Sequence, residues 1–192
     1  MQMHKGMLFV ISGASGVGKS TVLTKVIESR EDLLFSVSAT TREPRPGEQE
    51  AVNYYFVSHD TFQSMIDHKD FVEYDSHMGN FYGTPKEQLE DKLEKGHVIL
   101  DIEPNGAFNV RNQCPDAVLI FIAPPSMEEL ERRLWSRGDT SPEQIKMRLE
   151  RAKWEMEQSK EYNYIVINDQ VGTCADEILK IIAKEADEFG GK

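Results

Sequence analysis

The sequence predicts an α/β fold in which a parallel sheet lies between helices. Short apolar runs recur along the chain, and each is followed by a segment whose apolar residues have helical spacing. Such runs are typical of parallel strands that are covered on both faces. Residues 34–84 depart from this alternation and carry short strand-like segments separated by Pro and Gly turns. We therefore expect a parallel α/β core with one inserted, mostly β lobe.

The individual elements follow from these patterns in chain order. Core strands are predicted over residues 7–11, 98–102, 117–122 and 164–168, and lobe strands over 35–38, 54–57 and 71–74. The first helix is predicted over 18–30, where the apolar residues share one helical face. Capping boxes predict helix starts at Thr84, Ser126 and Ser141, and the helix from Ser141 is expected to reach about residue 159. The final helix is predicted over 173–188, with fraying from Phe189 onward.

The length and composition fit one domain with a substantial core. The chain has 192 residues, of which 39% are hydrophobic, so it needs no disulfide or metal to stabilise its fold. We expect the core to comprise residues 5–33, 85–132 and 151–188, the lobe residues 34–84, and a short helical lid residues 133–150.

Charge and cysteine content restrict the compartment and the partners. The formal net charge of −11 disfavours binding to nucleic acid over a broad surface. Cys114 and Cys174 are too far apart for a redox pair or a zinc knuckle, which favours a reducing, cytoplasmic compartment. No signal peptide and no long apolar run is apparent, so we expect no membrane association.

A phosphate-binding motif lies between the first strand and the first helix. Residues 13–20 match the pattern G-x-x-x-x-G-K-[ST] in the strand-to-helix context that the motif requires. The glycines let backbone N–H groups converge on phosphate oxygens, Lys19 is expected to contact the β- and γ-phosphates, and the Ser20 hydroxyl is expected to ligate Mg²⁺. The motif alone does not distinguish a GTPase, an ATPase and a kinase. The predicted ATP-binding residues of this loop are Gly13, Ala14, Ser15, Gly16, Val17, Gly18, Lys19, Ser20 and Thr21.

Several later segments together resemble the guanylate kinases. They are residues 36–48, 53–57, 71–74, 79–84, 137–138, 148–149 and 166–169, and the resemblance extends from about residue 5 to residue 185. It implies a P-loop core, a GMP-binding lobe and a lid that closes over ATP. It also implies that Mg²⁺ assists transfer of a phosphoryl group from ATP to GMP, with dGMP as a further expected substrate. The products would be ADP and GDP.

The resemblance assigns the lobe residues to GMP. Arg42, Arg45, Tyr54 and Tyr82 correspond to the clamp on the 5′-phosphate, and a forked guanidinium matches a phosphate dianion. An alternative is that both arginines are surface charges paired with Glu43 and Glu48. The residues that correspond to the guanine readers are Ser38, Glu73 and Thr84. A carboxylate accepts the adjacent N1–H and N2–H₂ donors of guanine, which adenine lacks, and such mismatches can discriminate by about 10⁴-fold.

The resemblance assigns further residues to the core and the lid. Asp101 ends an apolar strand, where it would hold the Mg²⁺ hydration shell near the phosphate-binding loop, and it is also assigned to GMP binding, although a strand-end cap is an alternative. Glu103 replaces the family's usual aspartate on the GMP side, and residues 104–105 and 139–140 also depart from the family pattern. Arg132, Lys146 and Arg151 are interpreted as solvated helix faces that pair with neighbouring glutamates at helical spacing. The ATP-side residues are Arg133, Arg137, Asn168 and Asp169, and the catalytic set is Lys19, Arg42, Arg137 and Arg148.

Two other functions remain compatible with parts of the sequence. A guanylate-kinase-like scaffold domain would bind phosphopeptides through Arg42 and Arg45 without catalysis, but it would not need Lys19, Ser20 and Asp101. A related kinase would phosphorylate a ribose phosphate, but it would not need the guanine readers. The sequence leaves open whether the protein is a monomer or a homo-oligomer.

Overall fold

The structure is a computed structural model that describes residues 5–77, 79–136 and 141–190. These residues form two separate sheets. In chain order the strands are β1 (Leu8–Gly13), β2 (Leu33–Phe35), β3 (Ala39–Thr40), β4 (Tyr55–Phe56), β5 (Phe71–His77), β6 (Asn80–Pro85), β7 (His97–Asp101), β8 (Val118–Ala123) and β9 (Tyr164–Ile167). The helices are α1 (Lys19–Glu28), α2 (His59–His68), α3 (Lys86–Leu93), α4 (Pro104–Gln113), α5 (Met127–Ser136), α6 (Pro142–Gln158) and α7 (Val171–Gly190).

The larger sheet is parallel and has the order β2-β7-β1-β8-β9. Its central strands are buried: Phe9, Val10 and Ile11 of β1 expose no surface, and every residue of β8 is buried. Helices therefore cover both faces of this sheet, as the continuous apolar runs predict. Within the described ranges, no helix combines the length and the apolar character that a membrane span needs.

The smaller sheet has the order β4-β3-β6-β5 and forms a separate lobe. Strand β3 pairs parallel with β4 and antiparallel with β6, which in turn pairs antiparallel with β5. The lobe has its own apolar cluster around Phe62, whose ring stacks on Phe71 at 4.5 Å and on Phe81 at 5.4 Å between centroids. The predicted fold class, a parallel core with an inserted lobe, is confirmed.

Two predictions for the lobe and its connections are wrong in detail, and one helix of the lobe was not predicted. The segment predicted as a lobe strand over 35–38 is divided, because β2 pairs with β7 in the core sheet and the lobe sheet begins at Ala39. Helix α2 was not predicted, although its N-cap Ser58 and the helical spacing of Phe62, Met65 and Ile66 are visible in the sequence. Thr84 does not cap α3: strand β6 continues to Pro85, and the Thr84 hydroxyl bonds to Glu73 instead.

The capping predictions at Ser126 and Ser141 are confirmed, whereas the prediction for the end of the C-terminal helix is wrong. Ser126 accepts a hydrogen bond from the Glu129 backbone at 3.1 Å, and Ser141 forms a complete capping box with Gln144. The predicted fraying from Phe189 is wrong, because α7 continues to Gly190 and Phe189 packs against the core. The contact of the partly buried Phe189 ring with the core holds the end of the helix there.

Candidate functional site

The loop between β1 and α1 has the geometry of an anion-binding turn. Gly16 and Gly18 have φ values of 89° and 92°, a left-handed conformation that favours glycine. Gly18 is the N-cap of α1, so the loop leads directly into the positive end of the helix dipole. The Val17 N–H bonds to the Ala14 carbonyl at 2.9 Å and closes the turn. Backbone N–H groups and the helix dipole together favour a phosphate at this position.

Lys19 and Asp101 form an ion pair beside this loop. The pair arises because β1 and β7 are neighbours in register, which brings the end of β7 next to the start of α1. Burial lowers the pKa of Lys19 to about 8, and the carboxylates of Glu103 and Glu155 oppose this shift. Ser20 is exposed in the same helical turn. The structure thus brings together the lysine, the hydroxyl and the carboxylate that the sequence singles out for phosphate and Mg²⁺.

A buried glutamate that the sequence did not predict also contacts the loop. Glu155 of α6 is 1% exposed, and its Oε2 accepts the Ser15 backbone N–H at 2.7 Å. Its Oε1 accepts from Arg151 Nε at 3.0 Å, and Arg151 Nη2 donates to Glu103 Oε2 at 2.9 Å. Burial, and then the neighbouring Glu103, raise the pKa of Glu155 to about 7.

These contacts change two interpretations made from the sequence. The predicted pairing of Arg151 with a glutamate at helical spacing occurs with Glu155, but the solvated face is wrong, because the guanidinium also pairs with Glu103 and lies 4.6 Å from the centre of the Trp154 ring. Glu103, expected on the GMP side, pairs with Arg151 near Lys19. By contrast, Arg132 is largely exposed and pairs with Glu129, as expected of a helix face.

A cavity of about 520 Å³ opens on the other side of the loop. Arg133 shapes one wall: its guanidinium donates to the Asn168 carbonyl at 2.7 Å and to the Asp169 carbonyl at 3.1 Å. The Asn168 side-chain amide donates to the Val17 carbonyl at 2.8 Å and so fastens the end of β9 to the loop. The predicted ATP-side residues that line this cavity are Gly16, Val17, Gly18, Thr21, Arg133, Asn168 and Asp169.

Only some of the residues that are predicted to form the lid lie within the described ranges. Arg137, with residues 138–140 and their reversed Asp139-Thr140 order, lies outside the described residues. Arg148 is half-buried on α6, seven residues before Glu155. Among residues 5–77, 79–136 and 141–190, no three His, Cys, Asp or Glu side chains are grouped so that they could hold a metal ion by themselves.

In the lobe, Arg42 lies against the predicted tyrosines. Its guanidinium carbon is 5.4 Å from the centre of the Tyr54 ring, and the rings of Tyr54 and Tyr82 are 6.0 Å apart. Arg42 Nη2 also contacts both oxygens of Glu48, at 2.9 and 3.0 Å, which raises the pKa of the arginine. Glu48 further accepts the Arg45 backbone N–H at 2.7 Å, while the Arg45 residue is exposed. The carboxylate pairing considered as an alternative therefore occurs for Arg42, within the same cluster as the tyrosines.

The predicted guanine readers Glu73 and Thr84 meet inside the lobe. They face each other across β5 and β6, and the Thr84 hydroxyl donates to Glu73 Oε1 at 2.6 Å. Burial raises the pKa of Glu73 to about 7. A Cβ atom on Gly106 of α4 would lie 2.7 Å from Glu73 Oε2, so this glycine makes room for the carboxylate. Ser38 is half-buried between β2 and β3, and its carbonyl accepts the Tyr55 N–H at 2.9 Å.

These features define a class of enzyme. A phosphate-binding loop with a paired lysine serves a nucleoside triphosphate, and a second lobe with an arginine–tyrosine cluster and a buried carboxylate serves another anionic ligand. This combination is that of a nucleoside monophosphate kinase.

Comparison with known proteins gives the family. The model of the guanylate kinase family matches residues 5–185. A guanylate kinase from Thermus thermophilus is 46% identical over 191 residues, 99% of this chain and 85% of the relative. One from Trichodesmium erythraeum is 45% identical over 94% of this chain and 97% of its own. The crystal structure of guanylate kinase from Anaplasma phagocytophilum has a TM-score of 0.77 and 34% identity, covering 94% of this chain and 86% of that one. The chain belongs to the guanylate kinase family.

Proposed function

We propose that this protein transfers the γ-phosphoryl group of ATP to the 5′-phosphate of GMP, giving ADP and GDP. The observation that carries the proposal is the buried Glu73–Thr84 pair in the lobe of a P-loop fold. In its charged form the Glu73 carboxylate accepts the N1–H and N2–H₂ donors of guanine, and the half-buried Ser38 is a candidate donor to O6. Adenine would leave these buried groups without partners, which strongly disfavours AMP.

Arg42, Arg45, Tyr54 and Tyr82 are the proposed clamp on the phosphate of GMP. The supporting observation is that Arg42 already holds a carboxylate, that of Glu48, against the two tyrosine rings. A guanidinium that pairs with a carboxylate in this way pairs equally well with a phosphate. We infer that GMP displaces or shares the Glu48 contact.

On the ATP side, the loop 13–20 and Lys19 are proposed to hold the β- and γ-phosphates, and the cavity beside Asn168 and Asp169 to hold the adenosine. Transfer of the phosphoryl group proceeds in line, so the residues position the two phosphates and neutralise charge rather than form a covalent intermediate. Arg133 and Arg148 are the described arginines proposed to contribute positive charge from the lid segment 133–150.

The residues present fit Mg²⁺ as the metal that accompanies ATP. The Ser20 hydroxyl and the Asp101 carboxylate are oxygen donors on neighbouring elements, and Mg²⁺ prefers oxygen ligands and retains water or phosphate at its other positions. Ser20 would hold the ion directly and Asp101 through water. When bound, Mg²⁺ neutralises charge on the β- and γ-phosphates.

An acceptor survey tests the proposed function. ADP formation is measured with ATP and Mg²⁺ and each of GMP, dGMP, AMP, UMP, CMP and ribose 5-phosphate. We expect GMP to give the highest kcat/KM, with dGMP as a further substrate. Preference for the ribose phosphate would instead indicate the related sugar-phosphate kinase. No turnover with any acceptor would favour the scaffold function, which the family relationship and the paired Lys19 and Asp101 already disfavour.

The division into core, lobe and lid also remains a proposal. The separate apolar clusters of the two sheets support a lobe that moves as a unit. We further propose a cytoplasmic location, which the free thiols Cys114 and Cys174 support.

A further inference from the structure

Helix α6 reaches the phosphate-binding loop through a buried carboxylate. Glu155 lies in the last turn of α6, and its Oε2 accepts the N–H of Ser15, in the middle of the loop 13–20. The contact joins residues that are 140 positions apart in the chain. A carboxylate this deeply buried is costly unless it is hydrogen-bonded or paired. Its presence at the loop therefore calls for a role that an apolar side chain would not fulfil.

The second oxygen of Glu155 is held by its own helix. Arg151 lies one helical turn earlier and bonds to Oε1, and the same guanidinium reaches Glu103 at the N-terminus of α4. Stacking on the Trp154 ring restricts Arg151 further. The Glu155 carboxylate is therefore fixed in one orientation, with Oε2 directed at the loop. A fixed acceptor can determine the direction of the peptide group that bonds to it.

The loop is also held at Val17, whose N–H bonds to Ala14 and whose carbonyl accepts from Asn168, but neither of these contacts supplies an acceptor for the Ser15 N–H. The left-handed Gly16 follows Ser15 directly, and a glycine has access to many backbone conformations. An unpaired Ser15 N–H would turn toward any other acceptor, and the neighbouring N–H groups would turn with it. Phosphate binding by a loop of this kind requires that these groups point at the phosphate in advance.

We propose that Glu155 is a positioning residue for the ATP phosphates. It holds the Ser15 peptide in the phosphate-binding orientation and ties α6, which carries Arg148, to the loop. The inference rests on the proposed function, because it assigns the loop to ATP. It places Glu155 outside the proposed contacts to the base and the 5′-phosphate of GMP, which lie on the lobe. Loss of the acceptor should therefore affect ATP and leave GMP binding unchanged.

Four variants separate this role from simple stabilisation. Glu155→Ala removes the acceptor. Glu155→Asp keeps the charge, but its side chain is one methylene shorter, so the carboxylate lies farther from Ser15. Glu155→Gln keeps an acceptor oxygen for Ser15, while its NH₂ group takes the place of Oε1 and gives up the hydrogen bond from Arg151. Glu157→Ala changes an exposed glutamate on the same helix and serves as the matched control. Steady-state kinetics give the KM values for ATP and GMP, and calorimetry gives the Kd for a non-hydrolysable ATP analogue.

We expect Glu155→Ala and Glu155→Asp to raise the KM for ATP and the Kd for the analogue by about tenfold, the loss expected for one buried hydrogen bond. The KM for GMP should stay unchanged, and Glu155→Gln should remain within about threefold of the original protein because the acceptor is retained. A folding defect alone would lower kcat without moving either KM. The Gln and Asp variants preserve the test if the Ala variant does not fold.

The proposal is overturned if Glu155→Asp binds the analogue as tightly as the original protein, or if the KM values for ATP and GMP rise together. It is also overturned if Glu155→Gln is as impaired as Glu155→Asp, because charge rather than the acceptor would then matter. Absence of GMP phosphorylation by the unmodified protein would contradict the proposed function instead, and the binding of the analogue would still report on Glu155.

Discussion

The Thr84 hydroxyl donates a 2.6 Å hydrogen bond to the Glu73 carboxylate, and both side chains are buried between the lobe and α4. The bond satisfies Oε1 and fixes the plane of the carboxylate. Oε2 then faces α4 at Gly106. An oriented, desolvated carboxylate is suited to accept two adjacent N–H donors from one base, so this pair is the structural basis for base selection.

Replacement of Glu73 by Gln should abolish the preference for GMP over AMP. The amide has one acceptor oxygen, and its NH₂ group would oppose a donor of guanine. Mispairing one side of a buried charge-assisted contact costs about 2 to 5 kcal/mol, so kcat/KM for GMP should fall about 30-fold or more. AMP does not use the pair and should lose little. Asp75→Asn, the same chemical change on the same strand, is the control, and equal losses for GMP and AMP would make Glu73 a structural residue.

The elevated pKa of Glu73 predicts a pH-dependent preference for GMP. Burial raises this pKa to about 7, and the charged form accepts the donors of guanine, so protons compete with GMP below that pH. The ratio of GMP to AMP activity should fall by up to about tenfold from pH 7 to pH 6. Both substrates carry the same phosphate group, so its ionisation affects both activities equally and leaves their ratio unchanged. A ratio that falls equally in Glu73→Gln would assign the titration to another group.

The same pKa has an opposite consequence for stability. The pKa of folded Glu73 exceeds the ordinary value of 4.5, so its contribution to the free energy of unfolding is fully present below about pH 4.5 and is lost as the pH rises toward 7. Between those values, Glu73→Gln should therefore gain stability relative to the original protein. Denaturant titrations at pH 5 and pH 7 measure this difference.

Gly106→Ala should impair GMP binding selectively. The new methyl group would meet Glu73 Oε2 at 2.7 Å and Ile102 Cδ1 at 3.3 Å, which forces the carboxylate to move. We expect the KM for GMP to rise by about tenfold while the KM for ATP stays constant. The gain in helix propensity, about 1 kcal/mol, offsets part of the cost of overpacking. Gly190→Ala has open space around it and is the control; an unchanged KM for GMP would show that the base site tolerates the shift.

Lys19→Ala should reduce kcat by about 100-fold or more with little change in the KM for GMP. The lysine belongs to the ATP side, whereas the proposed GMP contacts lie on the lobe. The melting temperature should hardly change, because the side chain of the partner Asp101 is 22% exposed and water can solvate its carboxylate. Lys25→Ala, on the same helix and exposed, is the matched control. A near-normal kcat for Lys19→Ala would contradict the assignment of the loop.

The lobe should approach the core when both substrates are bound. One GMP molecule would bridge Arg42 and Glu73 on the lobe to groups on the core, and such contacts favour the closed form. The radius of gyration from X-ray scattering should decrease with GMP and a non-hydrolysable ATP analogue. GMP with Glu73→Gln at the same concentrations is the control and should give a smaller decrease. An identical radius with and without ligands would refute closure.

The core and the phosphate-binding loop could be predicted from the sequence because each leaves a local signal. Strands that are buried on both faces appear in the sequence as continuous apolar runs, and in β8 every residue is apolar and buried. The loop has fixed glycine and lysine positions between a strand and a helix. Glu73 and Thr84 were assigned to guanine only through resemblance, and their pairing was not predicted, since the local pattern around Thr84 indicated a helix cap instead.

Contacts between distant segments left no such signal. Glu155 and Arg151 are spaced like an ordinary exposed helical ion pair, and nothing in the spacing shows that Ser15 lies above them. Gly106 is one glycine in a weakly amphipathic helix, and its role depends on Glu73 reaching it from the lobe. Helix α2 was missed because it is short and lies among the strands of the lobe, although Phe62, Met65 and Ile66 have helical spacing.

The central place of β1 also constrains how the protein can fold. Strand β1 lies between β7 and β8, where Leu8 pairs with Val98 and Phe9 with Val118. Its partner β7 follows it in the chain only after the lobe and α3, and its partner β8 only after α4 as well, so both partners are distant in sequence. Bringing such distant segments together requires closure of long loops, which slows folding. The phosphate-binding loop directly follows β1, and its Ala14 N–H bonds to Ile122 of β8, so the loop can acquire its final shape only after β8 has joined the sheet.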